Sequence, residues 1–404
     1  MPDIGIVGAG TAGLHLALML QQRGIHATLY AERDADAVLA GNLPNTVAHH
    51  HLTRAREHAL GVNHWDSDGP SYGRHWHYFG GEHPLAFPGD FSEPSLAVDY
   101  RLYLSRLLGD FEERGGSVLV GAVAVSDLTR LAEAHDLIVV STGRGGWSDL
   151  FPAVHGRSLT APRRLLSAGL YTGVAYTSPL GVTFGVSPGH GEIIEIPIRT
   201  FEGNATAPLF EAVPGCGLEV LAGTPYADDP GAYEQLALAA LREHFPPIFE
   251  RVDPGGFGLT RPGSILQGAV TPTVRQSSAR LPNGIHAIAV GDAHVTVDPL
   301  VGQGANAASF AAWMLGETIL EDGPLDEGFC RRVDERRLPF VLGAFEWTNF
   351  MTAPEPRLFD LVGAMSQNRA LVDDFTENFN HPDRQWAHLA SPEATAAYIR
   401  SFAP

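Results

Sequence analysis

Ile4-Gly5-Ile6-Val7-Gly8-Ala9-Gly10-Thr11-Ala12-Gly13 opens the chain with an apolar run and a glycine turn, and an amphipathic stretch follows from Leu14 to Gln22. That order reads as strand, tight turn and helix within one βαβ unit. Gly8 permits the turn, Gly10 lets the backbone approach a pyrophosphate at the helix N-terminus, and Gly13 allows close packing of helix on strand. Thr11 and Ala12 lie between them, at the helix start, so the segment fits a dinucleotide-binding fingerprint. A second strand, about Ala27 to Tyr30, should end in an acid for the adenosine ribose roughly 20 residues on. Ala31 stands at that spacing and Glu32 one position later. Glu32 is therefore either the ribose ligand or a plain surface acid.

A second glycine-bearing segment runs from Val290-Gly291-Asp292 to Asp298-Pro299-Leu300-Val301-Gly302-Gln303-Gly304-Ala305-Asn306. Ile285 to Val290 reads as an apolar strand ended by Gly291-Asp292. Gln303 to Glu317 has helical spacing, so Pro299 to Gly304 lies at a helix N-terminus. An acid there can hold the hydroxyls of a sugar-like chain, and backbone N–H groups at a helix start can face a developing anion. The pairing of the two segments resembles the class A and group E flavoprotein monooxygenases, in which the Gly-Asp pair binds the FAD ribityl and the following helix start sits at the isoalloxazine. The resemblance implies FAD-binding roles for Gly8, Gly10, Thr11, Ala12, Gly13, Gly291, Asp292, Pro299, Gly302, Gln303, Gly304, Ala305 and Asn306.

At 404 residues the chain is ample for a nucleotide domain and a substrate domain. Its formal charge is 27 − 46 = −19, a balance that repels nucleic acid and anionic membranes. All 27 basic residues are arginine. With no lysine there is no Schiff-base chemistry and no P-loop phosphate lysine, which excludes PLP enzymes and P-loop NTPases. Cys216 and Cys330 have neither metal-ligand nor redox spacing and read as structural thiols. The first residues lead directly into a strand, without a basic leader, and no apolar run is long enough to span a bilayer. A cytoplasmic protein is the expectation.

The pattern predicts an α/β fold: an FAD-binding Rossmann-like domain of hydroxylase type, an inserted, mostly antiparallel β-sheet substrate domain, and a helical C-terminus. The expected bounds are 1–164 and 264–325 for the FAD domain, 165–263 for the substrate domain and 326–404 for the C-terminal helices. A His-rich, loop-like stretch over about 42–90 is expected to line part of the pocket. Ser95 to Glu113 reads as a helix with Val98, Leu102 and Leu107 on its apolar face. Strands are expected at Ser117–Val123 and Asp136–Val140, and Ser141-Thr142-Gly143 resembles the short glycine turn with which related flavoproteins pass FAD a third time.

Longer blocks narrow the resemblance. Asn45-Thr46-Val47-Ala48-His49, Val98-Asp99-Tyr100-Arg101-Leu102-Tyr103, Ser187-Pro188-Gly189-His190-Gly191-Glu192, Trp347-Thr348-Asn349-Phe350 and Glu377-Asn378-Phe379-Asn380 resemble the FAD-dependent epoxidase component of styrene monooxygenases. Together with the glycine start they cover essentially the whole chain. The family implies a two-component system, in which a separate flavin reductase consumes NADH and supplies reduced FAD. The epoxidase then reacts that flavin with O2 and uses the C4a-hydroperoxyflavin on styrene-like substrates. The absence of a second GxGxxG unit for nicotinamide agrees. A homodimer is a family expectation only.

Oxygen transfer of this kind asks for positioning, water exclusion and a polar group near the flavin peroxide. Asn45 is the candidate for that contact and Gln303 for positioning the flavin ring. Val47, His49, Tyr72, His75 and Ser95 match the set that in this family separates styrene-type from indole-type enzymes, which makes them the candidate substrate pocket. Arg101 either reaches an FAD phosphate or pairs with a surface acid. No metal site is expected, because adjacent histidines on a strand point to opposite faces and no acid completes a set. Three other functions share the scaffold. An indole monooxygenase making an indigo precursor is the nearest. A flavin halogenase relies on a lysine that this chain lacks, and a non-catalytic binding protein of the GDP-dissociation-inhibitor kind has no need of Asp292 and the Gly-Gln-Gly helix start.

Overall fold

The computed structural model describes residues 1–143 and 146–403. The strand Asp3–Val7 pairs in parallel with His26–Ala31 on one side and Leu137–Val140 on the other. Ser117–Val120 extends the sheet beyond His26–Ala31, and His286–Ala289 beyond Leu137–Val140, both in parallel. Ser278–Arg280 closes that edge antiparallel. Every residue of Leu137-Ile138-Val139-Val140 is fully buried, as expected of a parallel strand covered on both faces. The helices Thr11–Gln22, Tyr100–Glu113 and Gln303–Ile319 share one apolar core with this sheet. That part is the doubly wound nucleotide fold the opening segment predicts.

The second sheet has ten strands and is mostly antiparallel. Its centre is the long hairpin Gly191–Thr200 and Gly203–Ala212, flanked by Val182–Ser187 and then, in parallel, by Tyr72–Phe79. Leu165–Gly169 pairs with the far end of Gly203–Ala212. The C-terminal helices, from Glu327–Thr352 to Pro392–Ser401, pack on this sheet through a core that includes Trp347, Phe375 and Phe379. No helix among the described residues is long and apolar enough to cross a membrane.

Three expectations change. The stretch 42–90 is not loop-like: it holds the strand Ala48–His49, the helix His51–Leu60, the strand Tyr72–Phe79 and the start of Leu85–Ala97. The histidines misdirect the reading, because His75 and His77 lie buried on one face of their strand. His75 packs edge-on against Phe91 and Phe379, and His77 stacks on Phe87.

The expected helix Ser95–Glu113 begins only at Tyr100, with Asp99 as its N-cap. Ser95 to Ala97 stay extended because they pair with Tyr72 and with Ala48–His49.

The return to the nucleotide sheet comes later than residue 264. Ile265–Ala269 pairs with Leu165–Gly169 in the large sheet, and the six-stranded sheet resumes only at Ser278. The strands between Tyr72 and Ala97 likewise belong to the large sheet, although they fall within the first expected segment.

Candidate active site

Two helix N-termini meet at one cleft. The helix Thr11–Gln22 starts at Gly10, which offers no side-chain cap, and its first turn carries no acid. The helix Gln303–Ile319 starts in the same way at Gly302, whose φ of 62° is left-handed and suits glycine. Among the described residues no side chain caps the backbone N–H groups at either start, and each helix end carries partial positive charge. Both ends open into a cleft of about 530 Å³ whose walls include Gly10, Thr11, Ala12, Ser141, Thr142, Gly143, Gly291 and Asp292. Beyond Asp292 the lining continues through Pro299, Gly302, Gly304 and Ala305.

The close packing that lets this cleft form is visible at two glycines. A Cβ on Gly13 would lie 2.0 Å from the Gly8 carbonyl oxygen, and Gly8 itself has φ +112° with Ser141 and Thr142 backbone 2.7 Å from any added Cβ. Gly10, by contrast, meets nothing closer than 3.8 Å, so its open side faces the cleft.

The opposite wall is apolar. Leu166, Ala168, Leu209 and Leu266 line it from three neighbouring strands of the large sheet, and Val47 and Val270 complete it. Pro44, Asn45 and Thr46 close one side. Asn45 is exposed toward the cleft volume, and its Oδ1 accepts from the Thr46 backbone N–H at 2.8 Å. None of its hydrogen bonds among the described residues uses the amide nitrogen. An anion-binding wall facing an apolar one fits a dinucleotide whose ring system ends beside an apolar substrate.

Behind the phosphate end runs a buried hydrogen-bond chain. Thr11 Oγ1 meets Tyr100 Oη (3.0 Å), which meets His49 Nε2 (2.7 Å), and His49 Nδ1 meets Glu57 Oε1 (2.5 Å). Tyr103 Oη donates to Glu57 (2.8 Å) and meets His15 Nε2 (2.7 Å), whose Nδ1 meets Ser309 Oγ (3.0 Å). Burial opposes the Glu57 charge, yet His49 and the other groups around it more than offset this and hold its pKa below the ordinary value. Burial lowers His15 to about 3, so it stays neutral. The chain ties four helices together and fixes Thr11 from behind.

The predicted residues divide accordingly. The glycine fingerprint, Asp292, Pro299, Gly302, Gly304, Ala305, Asn45 and Val47 come together at the cleft or directly behind it. Glu32 does not line it and lies exposed just past the second strand. Gln303 is turned away: its Nε2 donates to the Phe379 carbonyl at 3.0 Å. Asn306 is a clasp rather than a cleft residue, bonded to Ala48, His50, Thr53 and Gly302.

Of the expected substrate set, His49 is spent on Glu57 and Tyr100. Tyr72, His75 and Ser95 lie in the buried aromatic cluster around Phe91 and Phe379 and do not line the cleft. Arg101 reaches neither a phosphate site nor the surface; it forms a buried pair with Asp99, reinforced by Ser264 Oγ at 2.9 Å. The sequence reading missed Tyr100 as a lining residue and missed the apolar wall, whose only signal is β-strand alternation.

The chain is 45% identical over 407 residues to styrene monooxygenase StyA of Pseudomonas fluorescens, a match covering 99% of this chain and 98% of that protein. The chain belongs to the styrene monooxygenase family. StyA of a second Pseudomonas is 45% identical over the same share of each chain. Residues 143–251 also match the family model described as "Styrene monooxygenase A putative substrate binding domain". That span takes in the long hairpin and Leu166, Ala168 and Leu209 of the apolar wall. Among solved structures, the flavin-dependent brominase Bmp2 superimposes with a TM-score of 0.70 at 14% identity, covering 99% of this chain and 98% of that one. At that identity the likeness to the brominase is one of fold.

Proposed function

We propose that the chain epoxidises styrene and related vinyl aromatics with O2 and reduced FAD, and that a separate NADH-dependent flavin reductase supplies the reduced FAD. One observation carries the reading: two uncapped helix N-termini and an apolar wall enclose one cleft, in a chain related throughout its length to styrene monooxygenases. Reduced FAD, when bound, supplies the electrons that activate O2, so one oxygen atom enters the epoxide and the other leaves as water.

The residues divide the remaining work. Backbone N–H groups at Gly10, Thr11 and Ala12 take the pyrophosphate, and Asp292 takes the ribityl hydroxyls. The turn from Pro299 to Gly304 and Ala305 seats the ring system. Val47, Leu166, Ala168, Leu209 and Leu266 exclude water and hold the vinyl arene. Asn45 places an amide beside the reacting oxygen. His49, Tyr72, His75 and Ser95 support the segment carrying Asn45 from behind. A homodimer located in the cytoplasm belongs to the same reading.

The test mixes anaerobic protein and chemically reduced FAD with styrene in buffer containing isotopically labelled O2. Labelled styrene oxide is expected. Consumption of reduced FAD without any epoxide refutes the reading, and faster turnover of indole in a parallel run reassigns the substrate.

A further inference from the structure

A second buried cluster lies beside the cleft and has no part in the chemistry above. Glu211 sits on the strand Gly203–Ala212, directly opposite Glu192 on one neighbour and Leu166 on the other. Directly opposed residues share a sheet face, so Glu211 shares the face of Leu166, and with it that of Leu209, both of which line the cleft. Glu211 is 0% exposed and Asp298 1%. Asp298 precedes the turn at the cleft floor, and its Oδ1 accepts from the Leu300 N–H at 3.1 Å, capping Pro299–Val301.

The charges around this pair do not balance if all its acids ionise. Arg164 makes a bidentate pair with Glu192, at 2.6 and 2.8 Å, so its fork is fully engaged. Arg163 is turned to the Asn349 carbonyl at 2.7 Å. Among the described residues both oxygens of Glu211 and Oδ2 of Asp298 find no donor, and the two carboxyls lie beside each other. Two ionised carboxylates facing each other in a buried site would both be left unsatisfied; one proton between them gives Asp298 Oδ2 a donor and leaves the other Glu211 oxygen as an uncharged carbonyl.

We propose that Glu211 is held as the neutral acid and donates to Asp298, so that this proton-sharing pair is the positioning element of the Pro299–Gly302 turn at the cleft floor. Burial is the main cause that lifts the Glu211 pKa well above the carboxylate range, and the neighbouring Asp298 and Glu192 add to it while Arg164 opposes it. Asp298 is raised as well, by burial first, against the pull of Glu211, Leu300 N–H, Arg164 and Arg163. The pair titrates as a unit. The proton sharing stands on the fold alone, while its effect on flavin rests on the function proposed above.

The experiment separates the two. Glu211→Gln keeps a donor toward Asp298 and removes the proton, whereas Glu211→Ala removes both. In the infrared spectrum of the flavin-free protein near neutral pH, wild type should show the carbonyl stretch of a protonated carboxylic acid that Glu211→Gln lacks. The sign for stability follows from the raised pKa. The Glu211 contribution is fully present below the unfolded value of about 4.3 and is lost as pH rises through the folded value, so wild type should lose ground to Glu211→Gln with rising pH. Affinity for FAD should fall on the order of tenfold in Glu211→Ala and be largely rescued in Glu211→Gln. A wild-type spectrum without the acid band, or identical pH profiles for wild type and Glu211→Gln, overturns the shared proton. An acid band together with unchanged FAD affinity in Glu211→Ala overturns only the positioning role.

Discussion

Asn306 offers the sharpest test of how the two glycine segments are joined. Its Oδ1 accepts from the His50 N–H (3.1 Å) and from Thr53 Oγ1 (2.8 Å), and its Nδ2 donates to the carbonyls of Ala48 (3.0 Å) and Gly302 (2.9 Å). One buried amide therefore links the segment just after Val47 to the N-cap of the helix at the cleft floor. Asn306→Ala strands three backbone groups, since the Thr53 hydroxyl can turn elsewhere. At roughly 1 to 1.5 kcal/mol for each orphaned group, the loss is about 3 to 4.5 kcal/mol. Asn306→Asp keeps the acceptor but puts a buried charge against two carbonyls, so it should not rescue. Urea unfolding with an unchanged m-value reads the stability, and FAD titration reads the site. A loss under about 1 kcal/mol would refute the accounting. Normal FAD affinity in a properly destabilised variant would show that the clasp does not position the cleft.

Other perturbations follow from single contacts. Gly13→Ala drives a Cβ into the Gly8 carbonyl and should cost more than about 3 kcal/mol and abolish FAD binding in titration. Gly109→Ala, a helical position with nothing within 4 Å, should instead stabilise by up to about 1 kcal/mol. Asp99→Asn leaves the Arg101 guanidinium buried without its counter-charge and should cost about 3 kcal/mol or more in chemical denaturation. Asn45→Ala should lower the ratio of epoxide formed to reduced FAD consumed, with the balance measured as hydrogen peroxide; an unchanged ratio removes Asn45 from its role. Burial lowers His15 and His50 to about 3 and His77 to about 4, and puts His75 well below the usual range. Groups with depressed folded pKa stay neutral in the fold and charge on unfolding, so stability should fall as pH drops from about 6.5 toward 4. Burial puts His294 well below the usual range too, so at pH 5 unfolding should take up about four protons, five imidazoles less the one that Glu211 retains, by potentiometric titration.

The parts of the fold that were legible are those in which backbone geometry dictates the residue. Gly8 and Gly13 face carbonyls and backbone too closely for any Cβ, and Leu137 to Val140 is apolar at every position because both of its faces are covered. Side-chain direction was not legible to the same depth. Gln303 and Asn306 stand at the predicted helix start, three residues apart on one face, and that face meets Phe379, Ala48 and His50. The cleft is lined instead by Gly304, Ala305 and Ala308, about half a turn around the helix. Only the phase of the preceding turn distinguishes these faces. The histidines failed for a different reason: their polarity signals exposure, whereas His75 and His77 act as aromatic packing among Phe87, Phe91 and Phe379.

The blocks that mark the family turn out to hold the cleft in shape more than they reach into it. Asp99 and Arg101 in the Val98–Tyr103 block are a buried pair that caps the helix bearing Tyr100, and Tyr100 backs the phosphate end through Thr11. Glu192 in the hairpin block immobilises Arg164 next to the Glu211–Asp298 pair, so it acts on the Pro299–Gly302 turn at one remove. Trp347 is fully buried and packs edge-on against Phe379, whose carbonyl in turn holds Gln303. Two of these stretches therefore converge on the floor turn and the helix start that follows it, and the third on the helix start at Thr11. A catalyst that depends on distance and water exclusion, and not on a protein acid or base, needs its rigidity there. The apolar wall of Leu166, Ala168, Leu209 and Leu266 comes from strands of the large sheet, apart from the floor turn and helix starts that hold the cofactor end.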